Sequence, residues 1–548
     1  MDSSRFLGAS LLSGGLAYFI KFYLVSYSVS LWITPLLMRL DSLFFWQLWV
    51  GLFILFLYPE KIFKTLGQGS KSIFILVTSL VVTLKTYLGT INFMFWKKKK
   101  KLFGNAEFAD FWTRRKFLKS SYQGFSIGSK VSISKNDSYA GMIVVGPPSS
   151  GKSTITAFPS LLKTKNASWI VMDPSQELYE TSGYLHENGY NILRLNVNNL
   201  KHSIRFNPLL RCKNTSDVSK LSETLIKMAY TSKGESDSYW TSSAKRLLKC
   251  FLVAIKNQVP SQAHLPNAYR MLSEFEFNRE QTERFILENV DESTAKEFKG
   301  ILAANSKEFT SFLSTAQTAL EKFGGDDGIA WLVSGDTLDF NLFRQEKTVL
   351  FLQFPEINLP YYAPLINILT TQLMDFCMKE KVQNQRSIFF LLEEIGILRI
   401  NELDVYLSQL RKYNAGALLI LQDINQLSVQ YGQIKAKAIL GAINHKVFLG
   451  GLSHETCKNI ESMLGRTTVA DSNGREQGTN VLFANQIRML PKNTILYISS
   501  TRKPVKLKVK PYYKHRRLFK RSCLENYEVD ASLLSTTIDS IDYIQLED

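Results

Sequence analysis

Gly146-Pro147-Pro148-Ser149-Ser150-Gly151-Lys152-Ser153 fits the pattern G-x-x-x-x-G-K-[ST], which cradles the phosphates of a nucleotide. The chemistry explains the spacing. Glycines let backbone N–H groups turn inward around the α- and β-phosphates. Lys152 reaches the β- and γ-phosphates, and the Ser153 hydroxyl is a ligand for Mg²⁺. Met142-Ile-Val-Val145 just before the loop reads as a buried strand. Ser153-Thr154-Ile-Thr-Ala157 just after it opens a helix, which Pro159 then disturbs. Strand, loop and helix in that order are what the motif requires. The expected cofactors are ATP and Mg²⁺. The expected binding set is Gly146, Pro147, Pro148, Ser149, Ser150, Gly151, Lys152 and Ser153, with Thr154 beside them. The plain alternative is a Gly/Ser loop that binds nothing.

Outward from the loop, short apolar runs recur in the manner of buried parallel strands: Trp169–Met172, Thr348–Gln353, Ile388–Leu392, Ala417–Leu421, Val447–Leu449 and Thr494–Ile498. Helical patterns separate most of them, so the class is α/β with helices on both faces of a sheet. Between about Asn214 and Asp327 the strand signal stops, and Ser216–Tyr230, Tyr239–Lys256 and Thr294–Phe323 read as helices. Phe389-Phe-Leu-Leu-Glu393-Glu394 is an apolar strand ending in two carboxylates. At the C-terminal edge of an open sheet, one carboxylate can organise Mg²⁺ and the other can polarise an attacking water. The plain alternative is a surface Glu pair at a strand end. Gln422 ends the next strand, where it can sense the γ-phosphate.

Three apolar stretches crowd the N-terminus: Phe6 to about Met38, Leu43 to Tyr58 and Ile73 to Trp96. Their length and number predict membrane insertion, and they are far too long for a cleaved signal. Five lysines, Lys97 to Lys101, follow directly and fit a cytoplasmic boundary. Leu12-Ser13-Gly14-Gly15 echoes the signature of ABC transporter ATPases, but it precedes the loop and reads as small residues for helix packing. The chain has 548 residues with a formal net charge of +18, which suits a polyanionic partner, nucleic acid or membrane surface. Five scattered cysteines without a C-x-x-C pair read as reduced cytosolic thiols with no zinc site. Val505-Lys-Leu-Lys-Val-Lys510 alternates apolar and basic, as either a DNA-facing strand or a charge-protected edge. Lys514, Arg516, Arg517, Lys520 and Arg521 form a basic cluster. From Cys523 onward there are seven acids and no Lys or Arg, a tail suited to docking basic partners or substrate adaptors, or simply to solvation.

At this point the chain resembles the coupling-protein ATPases of type IV secretion and conjugation, the TraG/TraD type, relatives of the FtsK and HerA translocases. The resemblance covers nearly the whole chain. Gly104-Asn105-Ala106-Glu107-Phe108-Ala109 is similar to the family's G-S-A-R-W-A, and Asp173-Pro174-Ser175-Gln176-Glu177-Leu178-Tyr179 to its D-P-K-G-E-L-Y. Phe206-Asn-Pro-Leu209 matches N-P-L, and Tyr239-Trp240 with Ala244 the aromatic-Trp motif. Glu393-Glu394 stands at the family's D-E, and Tyr431-Gly432 follows Gln422. Asn444, Leu464-Gly465, Pro504 and Tyr512-Tyr513 resemble its C-terminal strands. Three positions depart: Glu393 replaces Asp, Ser175-Gln176 replaces Lys-Gly, and Glu107 replaces Arg.

The resemblance implies a RecA-like P-loop NTPase domain (102–213 and 328–513) with an inserted all-α domain (214–327), N-terminal transmembrane helices (1–101) and a basic-then-acidic tail (514–548). It implies a multi-pass protein of the bacterial inner membrane with a cytoplasmic ATPase domain, assembling as a homo-hexamer. Its partners would be single-stranded DNA carried by a relaxase, or effector proteins, together with the secretion channel components. Lys152, Glu393, Glu394 and Gln422 would be catalytic, with Ser153 and Glu393 holding Mg²⁺. Arg411, 11 residues before Gln422, would act as a finger on the neighbouring subunit's ATP. Two alternatives stay open: a docking receptor with degenerate ATPase function, and an FtsK-like DNA translocase.

Overall fold

Apolar runs become strands because both of their faces are buried. In the computed structural model, which describes residues 102–230, 239–379, 385–472, 475–528 and 540–546, eleven strands are found among the described residues: β1 Met142–Val145, β2 Ala167–Met172, β3 Asn191–Asn196, β4 Thr348–Gln353, β5 Ser387–Leu392, β6 Ala415–Leu421, β7 His445–Phe448, β8 Arg466–Ala470, β9 Glu476–Asn480, β10 Thr494–Ser499 and β11 Arg502–Lys508. All described residues belong to the unit Lys101–Asp548. The three apolar N-terminal stretches and Lys97–Lys101 lie outside the described residues. Among the described residues, no helix is long and apolar enough to cross a membrane.

Nine strands form one sheet in the order β11-β10-β7-β1-β6-β5-β2-β4-β3. From β7 to β3 every neighbour is parallel, while β10 runs antiparallel to β7 and β11 antiparallel to β10. Side chains alternate between two cores. Ile143, Val145, Ile170 and Met172 face one, and Met142, Val144, Trp169 and Val171 face the other. Burial on both sides removes the polar alternation of a half-exposed strand, which is why these segments read as unbroken apolar runs. β3, the sheet's other edge, carries polar Asn191, Arg194 and Asn196 and escapes that reading. So does the separate β8–β9 hairpin, none of whose residues is buried. β11 is an edge strand with Lys506 and Lys508 exposed, the placement expected of a charge-protected edge.

α1 Phe158–Lys163 lies between β1 and β2, and between β3 and β4 the chain is helical: α2 Thr215–Tyr230, α3 Tyr239–Lys256, α4 Leu265–Glu274, α5 Arg279–Glu288, α6 Glu292–Leu302, α7 Ser306–Gly324 and α8 Asp327–Ser334. The stretch expected as one helix from Thr294 to Phe323 is two. Asn305 caps α7 by accepting from the Glu308 N–H, which stops α6 short. α4 and α5 have no counterpart in the sequence reading. Each is ten residues, and α4 carries a proline in its first turn. Tyr239 packs edge-on and Trp240 tilted against Phe312 of α7, with ring centroids at 5.5 and 5.6 Å.

Several motif residues hold the frame. Gly104 approaches β8 so closely that a Cβ would meet the Arg466 carbonyl oxygen at 2.3 Å, so only glycine fits. The Asn207 carboxamide accepts from Leu209 N–H at 3.0 Å and donates to the Ala263 carbonyl at 2.9 Å. The Tyr431 hydroxyl accepts from Ile400 N–H at 2.9 Å and donates to the Leu398 carbonyl at 3.3 Å.

Candidate nucleotide site

The phosphate-cradling loop leaves the C-terminal end of β1. Its entry is fixed by Gly146 N–H, which donates to the Leu421 carbonyl of β6 at 3.2 Å. A tight turn follows, closed by Ser150 N–H on the Pro147 carbonyl at 3.2 Å, with Ser149 at φ 58° and Gly151 at φ 92°. The chain then enters a π-turn, Ser153–Ala157, before α1, where Pro159 lies in the first turn. Pro159 therefore does not end the helix. Its missing N–H is accommodated where one ladder type gives way to the other. Lys152 is largely buried, and its ammonium spans the loop to the Pro147 carbonyl at 3.1 Å. Thr154 Oγ1 donates to the Gly151 carbonyl at 3.0 Å, so its hydroxyl holds the loop. Ser150 Oγ is buried in the loop with no hydrogen-bond partner, a polar group without a protein ligand.

β6 lies between β1 and β5, so three strand ends deliver side chains to one place. Glu393 and Glu394 follow β5, and Gln422 follows β6. Ser153 Oγ donates to Glu393 Oε1 at 2.5 Å, so the extra methylene of Glu over Asp does not keep this carboxylate from the serine. Burial pushes the Glu393 carboxyl up to about 8. The Ser153 hydrogen bond opposes this, and nearby Asp173 and Glu394 add to it. Glu394 sits at φ 52°, a left-handed conformation unusual for a glutamate. Its carboxyl is also raised, by burial against the counter-pull of Lys152. Gln422 Nε2 donates to Glu394 Oε2 at 3.1 Å, and Gln422 N–H donates to Gln426 Oε1 at 3.1 Å. Lys152 is lowered by burial, with Glu394, Glu393 and Glu356 holding it up.

The structure thus brings together Gly146 to Thr154, Glu393, Glu394 and Gln422. It does not bring Arg411 to them. Arg411 is exposed in the turn Leu410–Tyr413 before β6, whereas Gln422 follows that strand's other end. Seven strand residues separate the two ends by about 20 Å. Asp173 ends β2 fully buried, where Oδ1 accepts from Leu178 N–H at 3.1 Å and Oδ2 from Tyr179 N–H at 2.9 Å. Its carboxylate folds its own loop back. Sequence reasoning passed over Glu356, which follows β4 and acts electrostatically on both Lys152 and Glu394. A lone exposed acid after a proline carries no signal.

Among the described residues, no group of three or more His, Cys, Asp or Glu side chains is placed to hold a metal ion. Mg²⁺ does not need one, because it is commonly bound by one or two carboxylates and completed by water and substrate phosphates. The adjacent Ser153 and Glu393 oxygens fit that requirement, and the loop with its unpartnered Ser150 hydroxyl fits a polyphosphate.

A parallel sheet with a phosphate-cradling loop, and an acidic strand one strand removed from it, defines a nucleotide-binding protein of the P-loop class. Residues 97–535 match the family described as type IV secretory system conjugative DNA transfer, and the chain belongs to that family. It is 24% identical over 412 residues to the VirD4 protein of Rhizobium radiobacter, covering 69% of this chain and 58% of that one. The chain therefore spans less than three fifths of that relative. The solved plasmid coupling protein TrwB with a non-hydrolysable GTP analogue superposes with a TM-score of 0.59 at 18% identity, over 74% of this chain and 96% of that chain. TrwB with ADP and Mg²⁺ gives 0.58 at 19% identity, over 75% of this chain and 96% of that chain.

Proposed function

We propose that this chain is a membrane-anchored coupling ATPase that passes relaxase-bound single-stranded DNA to a type IV secretion channel. The observation that carries the reading is the convergence of Lys152, Ser153, Glu393, Glu394 and Gln422 at the ends of three neighbouring strands. Membership of a conjugative DNA transfer family and the nucleotide complexes of TrwB support it.

Bound Mg²⁺ supplies charge that offsets the phosphates. The chain's own residues do the rest. The loop N–H groups and Lys152 bind and orient the triphosphate. Ser153 and Glu393 would hold the ion, with Glu393 deprotonated. Glu394 polarises the attacking water, and its raised carboxyl is suited to accepting a proton. Gln422 holds Glu394 and faces the γ-phosphate. Arg411, too far to serve its own subunit, is available to a neighbour in a ring, where a guanidinium can donate to two γ-phosphate oxygens. The N-terminal apolar stretches supply the membrane anchor, and the net charge of +18 suits a polyanionic cargo.

The test is the ATPase rate of the purified full-length protein, with and without single-stranded DNA, across a salt series. Strong stimulation that fades with salt is expected. Absence of hydrolysis under every condition would instead favour a docking receptor.

A further inference from the structure

Two described parts of the acidic C-terminus, around Tyr527 and from Ser540 to Leu546, are held against the fold. Tyr527 is pinned on the short helices between β2 and β3: the Tyr179 hydroxyl donates to its carbonyl at 2.5 Å, its N–H donates to Ser182 Oγ at 3.1 Å, and its ring stacks on His186 at 4.1 Å. Further along, the segment from Ser540 to Leu546 lies against the start of α4, in the helical segment of the fold. It falls beyond the residues 97–535 that match the family.

The contacts there are of the kind that read a peptide. His264 and Asn267, at 0% and 1% exposure, are polar side chains aimed at the segment's main chain. His264 Nδ1 accepts from Asn267 N–H at 3.3 Å, so the proton of the neutral ring sits on Nε2 and is donated to the Asp542 carbonyl at 3.0 Å. The Asn267 carboxamide meets both sides of residue 543: Nδ2 donates to the Asp542 carbonyl at 3.3 Å, and Oδ1 accepts from Ile544 N–H at 3.1 Å. One amide thereby plays the part of a neighbouring strand. Each side chain has its own receptor. The Asp542 carboxylate accepts from Ser261 Oγ at 2.7 Å and Gln262 Nε2 at 3.2 Å. Arg270 lies over the Tyr543 ring at 5.2 Å, a cation–π contact. Ile544 is buried in the main core. An acid, an aromatic and an aliphatic side chain are thus recognised in sequence, with the backbone between them.

We propose that the start of α4 is a peptide-recognition site and that the chain's own acidic C-terminus is its resident ligand. The segment belongs to the same chain and is tethered at Tyr527, so its binding is intramolecular and its effective concentration at the site is high. It acts as a latch between the sheet and the helical segment. A free segment of the same Asp-Tyr-Ile chemistry competes for the same place.

The probe is a fluorescein-labelled peptide of residues 540–548, followed by anisotropy. The acceptors are the full chain, the chain ending at residue 539, and a full chain carrying Ile544→Asp, which keeps the tail's length but removes its anchor. The last two should bind the peptide saturably, and the unmodified full chain at least tenfold more weakly. A peptide with Ile544→Asp should not bind any of them. The proposal is overturned if neither altered chain binds the peptide, if the unmodified chain binds it equally well, or if the Ile544→Asp peptide binds as tightly as the native one.

Discussion

Ser153 Oγ donates to Glu393 Oε1 at 2.5 Å, across the width of one intervening strand. That contact joins the phosphate-cradling loop of β1 to the acidic end of β5, and it sets side by side the two oxygens proposed above to hold magnesium. Glu394, the next residue, turns away through a left-handed conformation and takes a different partner, Gln422. Adjacent acids with separate partners should have separable roles.

Glu394→Gln should bind ATP with near-native affinity and hydrolyse it roughly 10²–10⁴-fold more slowly, the range for losing a positioned general base. Glu393→Gln should instead weaken Mg²⁺-dependent ATP binding by roughly tenfold or more, as loss of a metal-positioning carboxylate does. Nucleotide-binding titrations with and without Mg²⁺, beside steady-state rates, separate the two. Wild-type hydrolysis by both variants would mean that β5 is not the catalytic strand.

Arg411→Ala should bind ATP and fail to hydrolyse it. Lys152→Ala subunits carry an intact Arg411, so mixing the two variants should restore partial activity. If mixed rings form, as shown by crosslinking, and remain inactive, Arg411 does not act between subunits.

Asp173→Ala leaves the buried N–H groups of Leu178 and Tyr179 without their acceptor. At roughly 1–3 kcal/mol for each unsatisfied group, the variant should lose about 2–6 kcal/mol of stability. Urea unfolding measures it. ATP binding by the folded fraction should be unchanged. Loss of nucleotide binding at native stability would assign that loop to the phosphates instead.

His445, the first residue of β7 beside β10, is buried with Nδ1 2.7 Å from the Tyr497 hydroxyl, and burial pushes it down to about 4, against the weaker pull of Asp137. A histidine depressed in the folded state is bound by more protons when unfolded. Its contribution to stability is present above about 6.5 and is lost as pH falls toward 4. Between pH 7 and pH 5 the wild type should lose about 2 kcal/mol more than His445→Gln, since each unit is about 1.4 kcal/mol. Equal losses in paired denaturation curves would show that His445 does not titrate this way.

The nucleotide loop was legible because its glycines, lysine and serine are fixed by ligand chemistry, and β5 because burial on both faces leaves an unbroken apolar run before Glu393. The relation between them was not. That β6 lies between β1 and β5, and so carries Gln422 to Glu394, depends on strand order, which apolar runs do not encode. Glu356 reaches the site by the same route from β4. β3 escaped notice because an edge strand tolerates Asn191, Arg194 and Asn196, and α6 was fused to α7 because an Asn cap interrupts a pattern that is apolar on both sides. The acidic tail read as a solvated end or a dock for basic partners, since its receptor, His264 and Asn267, lies far away in sequence and is not predominantly basic.

The most direct measurement is conjugative transfer by cells whose sole copy of the protein carries Lys152→Ala. The loss of one buried ammonium removes the charge that the loop places on the transferred phosphoryl group, while the rest of the fold keeps its packing. The expected result is a variant that is present in the membrane fraction at wild-type level and transfers no DNA. Transfer at wild-type frequency by that strain would contradict the claim that ATP at this site drives the process.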